Sequence, residues 1–365
     1  MSISKVCIDT LLNLRKTPHK PRHFTYITTY RCNSRCRMCG IWKGSEPQAF
    51  KRELKLEDIK KIFNNPFFSD ISFISLGGGE PFLREDIDEI VEVITKSCPE
   101  LNSITIPTNG LTPRTSMKVQ RILEKIESGI NLSIGVSIDG IGETHNYGRG
   151  KEDAFERGIK LIGELKELEH TYGNLKVGFG SMILPWNVDS LPDLVKLSSE
   201  MNLPKPQFWM PLILDSFFKN EEQEPELKFS DEQFRKAMGF LKGYDYRKDF
   251  YAFYAENMSR IRSGKTRIIP CFWGYHFLFI DPYGDVYPCS YACKEEYLLG
   301  NLLTDDPSDI WFSQKAENIR KTIGKSRACS LCQVNCKFFE NITINILPYA
   351  RYKLYNSRHQ LRGKA

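Results

Sequence analysis

The sequence predicts an α/β fold: a partial (β/α)6 barrel of the TIM type, followed by a small cysteine-rich α+β domain. Three observations predict it. Six short β-type runs alternate with amphipathic helical runs between residues 23 and 210, the pattern of stacked βαβ units on a parallel sheet. Every notable polar motif in that stretch falls just after a strand, and hence on one rim. The cysteines gather in two groups, three at 32–39 and six at 271–336, the second where the alternation has stopped.

The first strand is His23–Tyr30. Phe24, Tyr26, Thr28 and Tyr30 fall on one face and Thr25, Ile27 and Thr29 on the other. It runs into Cys32-Asn33-Ser34-Arg35-Cys36-Arg37-Met38-Cys39, three thiols spaced CxxxCxxC. Leu56, Ile59, Ile62 and Phe63 mark a helix face. Ile71–Leu76 is the second strand and ends at Gly77-Gly78-Gly79-Glu80-Pro81. The next helix is expected to be capped by Asp86, with Ile87, Ile90, Val91 and Ile94 on its apolar side. Ser103–Ile106 is the third strand, closed by Pro107-Thr108-Asn109-Gly110, and Val119, Ile122, Leu123 and Ile126 mark the helix after it. Leu132–Ile138, ending on Asp139-Gly140, is the fourth strand, followed by a helix carrying Phe155, Ile159, Ile162 and Leu165. Lys176–Ile183 is the fifth strand, Leu191, Leu194 and Val195 a short helix, and Pro206–Met210 the sixth strand. Right-handed crossovers curl such a sheet into part of a barrel.

Beyond it, Asp231–Gly264 reads as one aromatic-rich linking helix. Phe277–Ile280 and Asp285–Tyr287, joined by Asp281-Pro282-Tyr283-Gly284, form a hairpin that carries Cys271 and Cys289 toward each other. The expected divisions are an N-terminal extension (1–22), the barrel (23–215), a linking helical segment (216–265), the cysteine-rich domain (266–340) and a basic tail (341–365).

Composition sets the outer limits. The chain has 365 residues, 41% hydrophobic and 26% charged, an ordinary soluble composition with room for one large domain and a smaller one. The net charge of +6 is spread along the chain and gives no reason to expect nucleic-acid binding. Arg351, Lys353, Arg358, Arg362 and Lys364 make the tail basic, a solvated feature with at most weak attraction to a membrane surface. Met1–Pro21 contains no continuous apolar run, so neither a signal peptide nor a membrane span is expected there. Eleven cysteines without export signals point to a reducing, cytoplasmic setting and to metal or redox chemistry. Cys7 and Cys98 stand apart from the two groups and read as small apolar residues.

A compact loop of three thiolates is a soft-ligand site. A structural zinc ion wants four ligands. Three thiols with no fourth Cys or His nearby suit a [4Fe–4S] cluster with one iron left open. A zinc knuckle completed from elsewhere in the chain is the competing reading. The six later cysteines form two groups, Cys271, Cys289 and Cys293, then Cys329, Cys332 and Cys336, which a hairpin can bring together. Both a cluster and a structural zinc ion fit that pattern.

CxxxCxxC after a strand, then GGE at the end of the next strand, resembles the radical S-adenosylmethionine (radical SAM) enzymes over about residues 22–215. The resemblance implies that Cys32, Cys36 and Cys39 hold a [4Fe–4S] cluster whose open iron chelates S-adenosylmethionine. It implies reductive cleavage to a 5′-deoxyadenosyl radical that abstracts hydrogen. Carried over residue by residue, Met38 flanks the adenine. Gly78, Gly79 and Glu80 receive the methionine ammonium. Ser137 and Asp139 meet the ribose, and Asn109 shares their rim. Arg149 or Arg157 pairs with the carboxylate, and Trp42 stands in for an aromatic near adenine. The later cysteines resemble SPASM and twitch extensions, which hold auxiliary iron–sulfur clusters. Six cysteines cannot complete two four-cysteine clusters, so one auxiliary [4Fe–4S] cluster is expected. Cys271 and Cys289 are its firmest ligands, with two of Cys329, Cys332 and Cys336. An external one-electron reductant of flavodoxin or ferredoxin type is implied.

Three functions compete. The main expectation is a small-molecule oxidoreductase, a dehydrogenase or epimerase acting on an organic metabolite. The alternative is a peptide- or protein-modifying SPASM maturase. It is weighed lower because the residues before the first strand are too few for a leader-binding domain. A non-catalytic cluster-bearing scaffold is disfavoured by the intact cysteine and GGE motifs. His145, Tyr147, Trp209 and Asp215 lie on the rim without an assigned role.

Overall fold

The computed structural model describes residues 15–44, 50–246, 248–322, 325, 327–330, 332, 341–342, 344–345 and 347–362, with side chains to 354 in the last helix. Cys7 and Cys336 lie outside the described residues, as do the side chains of Arg358, Arg362 and Lys364.

Six parallel strands carry the first half: β1 (His23–Thr29), β2 (Phe73–Gly78), β3 (Ser103–Thr108), β4 (Asn131–Ser137), β5 (Leu175–Met182) and β6 (Gln207–Trp209). They lie in sheet order 6-5-4-3-2-1. The helices between them are α1 (Leu56–Phe63), α2 (Ile87–Ser97), α3 (Thr115–Lys125), α4 (Glu143–Arg149), α5 (Ala154–Thr171) and α6 (Leu191–Glu200). All but α4 send an apolar stripe at helical spacing into the core: Ile59, Ile62 and Phe63; Ile87, Ile90, Val91 and Ile94; Val119, Ile122 and Leu123; Leu161, Ile162 and Leu165; Leu191 and Leu194. Each of these side chains contributes roughly 1.5–3 kcal/mol by leaving water.

The C-terminal hairpin continues the same sheet. β7 (Phe277–Ile280) pairs with β1 in parallel, His23 opposite Phe277 through Tyr26 opposite Ile280. β8 (Asp285–Tyr287) returns antiparallel, and a short β9 (Gly300–Asn301) follows it. β1 is therefore filled on both sides, by β2 and by β7, and cannot also pair with β6. That is why the barrel stays partial, and why the two cysteine groups share one sheet.

Four local expectations need correction. Asp86 does precede α2, but its side chain makes no cap bond; both oxygens accept from Arg84, at 2.8 and 2.7 Å. A bidentate ion pair outcompetes an N–H for the same carboxylate. The expected 231–264 helix is two, α7 (Asp231–Gly243) and α8 (Lys248–Arg262), parted near Gly243, where helix propensity is poorest. They cover the β6 edge, where Tyr251 Oη accepts from Phe208 N–H at 2.9 Å. The helix α4 was not foreseen, because Glu143-Thr-His-Asn-Tyr-Gly-Arg149 has no apolar stripe. Gly142 and Gly150, both at positive φ, mark its ends. β9 is too short to leave a periodic signal.

Among the described residues no helix is long and apolar enough to cross a membrane.

Candidate radical and auxiliary cluster sites

The CxxxCxxC loop leaves β1 and is held against three other segments by close backbone contacts. Gly79 N–H donates to the Thr29 carbonyl and Glu80 N–H to the Arg31 carbonyl, both at 2.8 Å. A β-carbon on Gly78 would collide with the Thr29 carbonyl oxygen, and one on Gly79 with that of Arg31. At Gly150, where φ is +64°, a β-carbon would stand 2.5 Å from the Arg35 carbonyl oxygen. Arg37 N–H donates to the Gly148 carbonyl at 2.9 Å, and Gly40 N–H to the Phe218 carbonyl at 2.6 Å. The glycines of GGGE thus act by letting two backbones approach.

The three thiols are electrostatic neighbours of one another. Burial, and then the neighbouring Cys36, push the Cys39 thiol up to about 12. Burial raises Cys32 to about 11, with Cys36 and Glu80 adding to it. Three half-buried thiolates at one spot are costly without a positive centre between them. That is the condition a metal cluster satisfies, so the donor set fits a cluster with three cysteine ligands. Around it, Ser34 Oγ lies 3.1 Å from Cys36 Sγ and donates to the Arg149 carbonyl at 2.8 Å. Asn109 Nδ2 donates to Asn33 Oδ1 at 2.8 Å and lies 3.7 Å from Cys32 Sγ.

The predicted S-adenosylmethionine residues meet on this rim, though not all with free side chains. Met38 is buried against Leu184 and Leu227, beside Cys36, Cys39, Met182, Trp186 and Ile213, an apolar pocket next to the thiols. Ser137, at the end of β4, is half-buried. Glu80 is fully buried, and its oxygens accept from Thr108 Oγ1 (2.9 Å), Asn109 N–H (2.7 Å) and Phe82 N–H (3.2 Å). Burial raises its pKa to about 7 despite those donors. Its carboxylate is spent on joining the β2 and β3 rims. Asp139 accepts from Met182 N–H at 2.7 Å and pairs with Arg149 at 2.5 Å. Arg149 also points Nη1 at Cys36 Sγ, 3.8 Å away. Burial opposes its charge, but Asp139 and the Cys36 thiol outweigh that and hold its pKa above the usual guanidinium range. Arg157 donates to the Leu111 carbonyl and pairs with Asp153. Trp42 donates to the Cys39 carbonyl at 3.1 Å and lies under Arg35.

Of the unassigned rim residues, His145 is buried and accepts from Asp139 N–H at 2.9 Å. Tyr147 is half exposed, edge-on to Trp186 and under Arg37. The Trp209 ring covers Gly180. Asp215 opens a short helix, Asp215–Phe218.

Sequence reasoning missed Trp186, which lines the Met38 pocket, and Asn220. Asn220 is fully buried; its Nδ2 donates to the Met38 and Leu212 carbonyls (2.9 and 2.8 Å), and its Oδ1 accepts from Leu214 N–H (2.8 Å). No spacing links position 220 to the cysteines. Its only local cue is the left-handed Lys219 before it (φ 49°).

The auxiliary cysteines also converge. Burial raises Cys289 most, then Cys271, Cys332 and Cys329 as neighbouring thiols. Cys293 neighbours the Cys289 thiol and then Asp281, and donates to the Cys289 carbonyl at 3.7 Å; Cys271, Cys329 and Cys332 are not among the groups that act on it. The buried cluster that contains Phe217, Phe272, Trp273, Phe277 and Phe279 packs against Cys32 and Cys39 and also against Cys271, Cys289 and Cys293.

Comparison with known proteins agrees with this arrangement. Residues 26–197 match the family model of the radical SAM superfamily, and residues 271–337 match that of the SPASM iron–sulfur cluster-binding domain. The antilisterial bacteriocin subtilosin biosynthesis protein AlbA of Bacillus subtilis (strain 168) is 24% identical over 80% of this chain and 60% of its own length. The chain thus spans well under two thirds of that relative. The mycofactocin maturase MftC of Mycolicibacterium smegmatis is 24% identical over 86% of this chain and 75% of its own. Among solved structures, Streptococcus suis SuiB bound to precursor peptide SuiA superposes with a TM-score of 0.62 at 16% identity, over 92% of this chain and 76% of that one.

Proposed function

The chain belongs to the radical SAM superfamily and carries a SPASM iron–sulfur domain, and from that premise we propose that it is a maturase that modifies a peptide or protein substrate. A [4Fe–4S] cluster with S-adenosylmethionine, and an auxiliary cluster, are its cofactors. Bound together, the first two supply a carbon radical able to abstract hydrogen. The residues around them supply position. Cys32, Cys36 and Cys39 are assigned to the cluster. Met38, with Leu184 and Trp186, forms the apolar wall beside it. Gly78, Gly79 and Ser137 offer backbone and hydroxyl groups to the ligand. Glu80, Asn109 and Asp139 fix the rim, and Arg149 joins Asp139 to Cys36. Cys271, Cys289, Cys329 and Cys332 are assigned to the auxiliary cluster.

The observation that carries the peptide reading is coverage. AlbA and MftC match 80% and 86% of this chain, more than the barrel alone spans, and they are named for bacteriocin biosynthesis and for maturation. The expected small-molecule oxidoreductase therefore yields to its alternative. The reductant remains a flavodoxin- or ferredoxin-type donor in a reducing cell compartment.

The test is anaerobic co-expression with any short peptide found encoded beside its gene, read by mass spectrometry, alongside a Cys32/Cys36/Cys39→Ala variant. A mass change in a peptide that vanishes with the variant supports the proposal. 5′-Deoxyadenosine formation without any peptide change returns the reading to a small-molecule substrate.

A further inference from the structure

Arg267 stands four residues before Cys271 and is tied to the second cysteine pair as well. Its backbone N–H donates to the Ser330 carbonyl at 2.9 Å, inside the Cys329–Cys332 run. Its guanidinium lies beside the Cys271 thiol, with Cys332 and Cys329 as the next charges it meets. Among the described residues no carboxylate forms an ion pair with it, and it is half-buried. Other arginines taken out of water find oxygen: Arg149 has Asp139, Arg84 has Asp86, and Arg320 has the Gly274 and Trp311 carbonyls. Arg267 faces sulfur instead.

A buried cation is costly unless negative charge meets it. Four thiols in their protonated form would not supply that charge. A cluster ligated by four thiolates would, and it gains a further negative charge on reduction. A fixed positive charge in a low-dielectric place therefore favours the reduced form more than the oxidised one. Charge and hydrogen bonds to the ligating sulfurs are what set such potentials.

We infer that Arg267, anchored by its backbone to Ser330 between Cys329 and Cys332, tunes the auxiliary cluster, its positive charge beside Cys271, Cys329 and Cys332 raising the cluster's reduction potential. This rests on the assignment of those cysteines, with Cys289, to the auxiliary cluster. A cluster so biased is an electron acceptor and not an inert staple.

The test is an EPR-monitored redox titration of the full-length chain. The background is Cys32/Cys36/Cys39→Ala, so that only the auxiliary cluster reports, and the variants are Arg267→Gln, Arg267→Met and Arg267→Lys. The parent is expected to hold about four irons. Gln and Met should move the midpoint to lower potential, and Lys, which keeps the charge, should stay near the parent. Iron lost in Gln and Met but kept in Lys also supports the charge role. Gln and Met with full iron and the parent's potential overturn the inference. So does loss of iron in all three, which makes Arg267 a structural residue. A parent without iron sinks the auxiliary-cluster assignment itself, a separate result.

Discussion

Asn220 holds the carbonyl of Met38 from behind the cysteine loop, through an amide donor 2.9 Å away. It is a residue from beyond β6, fully buried, with donors and acceptor all satisfied. The backbone of the loop that carries Met38 between Cys36 and Cys39 is thus fixed by a side chain far away in sequence. Asn220→Ala removes two donors and leaves the Leu214 N–H without a partner. That should destabilise the fold by about 2–3 kcal/mol and weaken S-adenosylmethionine binding. Urea unfolding and equilibrium dialysis read the two effects. Unchanged ligand affinity at full iron content would deny Asn220 its positioning role.

The glycine contacts make a sharper prediction. Gly79→Ala drives a β-carbon into the Arg31 carbonyl, and Gly150→Ala adds a positive φ to a 2.5 Å contact with that of Arg35. Gly135→Ala, in the middle of β4, meets nothing within 4 Å. After anaerobic reconstitution the first two should lose about four of about eight irons, and Gly135→Ala none. Equal loading in all three would mean that the loop moves freely to accommodate the added carbon.

Acid should unfold the protein in part through its buried histidines. Burial, helped by Arg149, lowers His145 to about 3. Burial, with His23 and His19 beside it, holds His276 well below the ordinary imidazole value. The unfolded chain takes up protons below about pH 6.5 that these folded imidazoles refuse, so their contribution is complete above 6.5 and falls away as pH drops. Glu80 and Asp281, both raised to about 7 mainly by burial, act in the opposite direction, and so the comparison must be between variants. His145→Asn, whose amide oxygen can still accept from Asp139 N–H, should flatten the loss of stability between pH 7 and 5. The difference is on the order of 1 kcal/mol per pH unit. Denaturant midpoints at a series of pH values give the slope; identical slopes in both proteins would contradict it.

These residues also show what a sequence can and cannot disclose. The strands and the five apolar-striped helices were legible because burial on one face imposes a period. α4 was not, since its polar turn is set by two glycines and by packing, and leaves no period. Cys32, Cys36 and Cys39 were legible because their ligand spacing is local. Glu80 was found through the GGE run, yet its partners Thr108 and Asn109 come from the next strand, and only the sheet register reveals that its oxygens are taken. Asn220 and Arg267 act through contacts closed by tertiary folding, so no window around either position shows them. The substrate class is not legible for a related reason: the motif that announces the chemistry sits in the barrel, and it does not name what the barrel acts on.

The auxiliary site gives the last prediction, because the structure divides cysteines that the sequence could only group. Cys289 and Cys293 are four residues apart, and both thiols are half-buried and raised. Their surroundings differ. Cys289 meets Cys271, Cys332 and Cys329, whereas Cys293 meets only Cys289 among the thiols, and then Asp281. Four sulfurs complete the ligation of a cluster, and a fifth has no iron left to bind. In the Cys32/Cys36/Cys39→Ala background, Cys289→Ser should therefore remove or destabilise the remaining irons, about four in number. Cys293→Ser should keep them and leave the EPR spectrum unchanged, since a hydroxyl can still donate to the Cys289 carbonyl. If Cys293→Ser loses the cluster and Cys329→Ser does not, the ligand set is exchanged, and Arg267 would then lie beside a thiol that carries no iron.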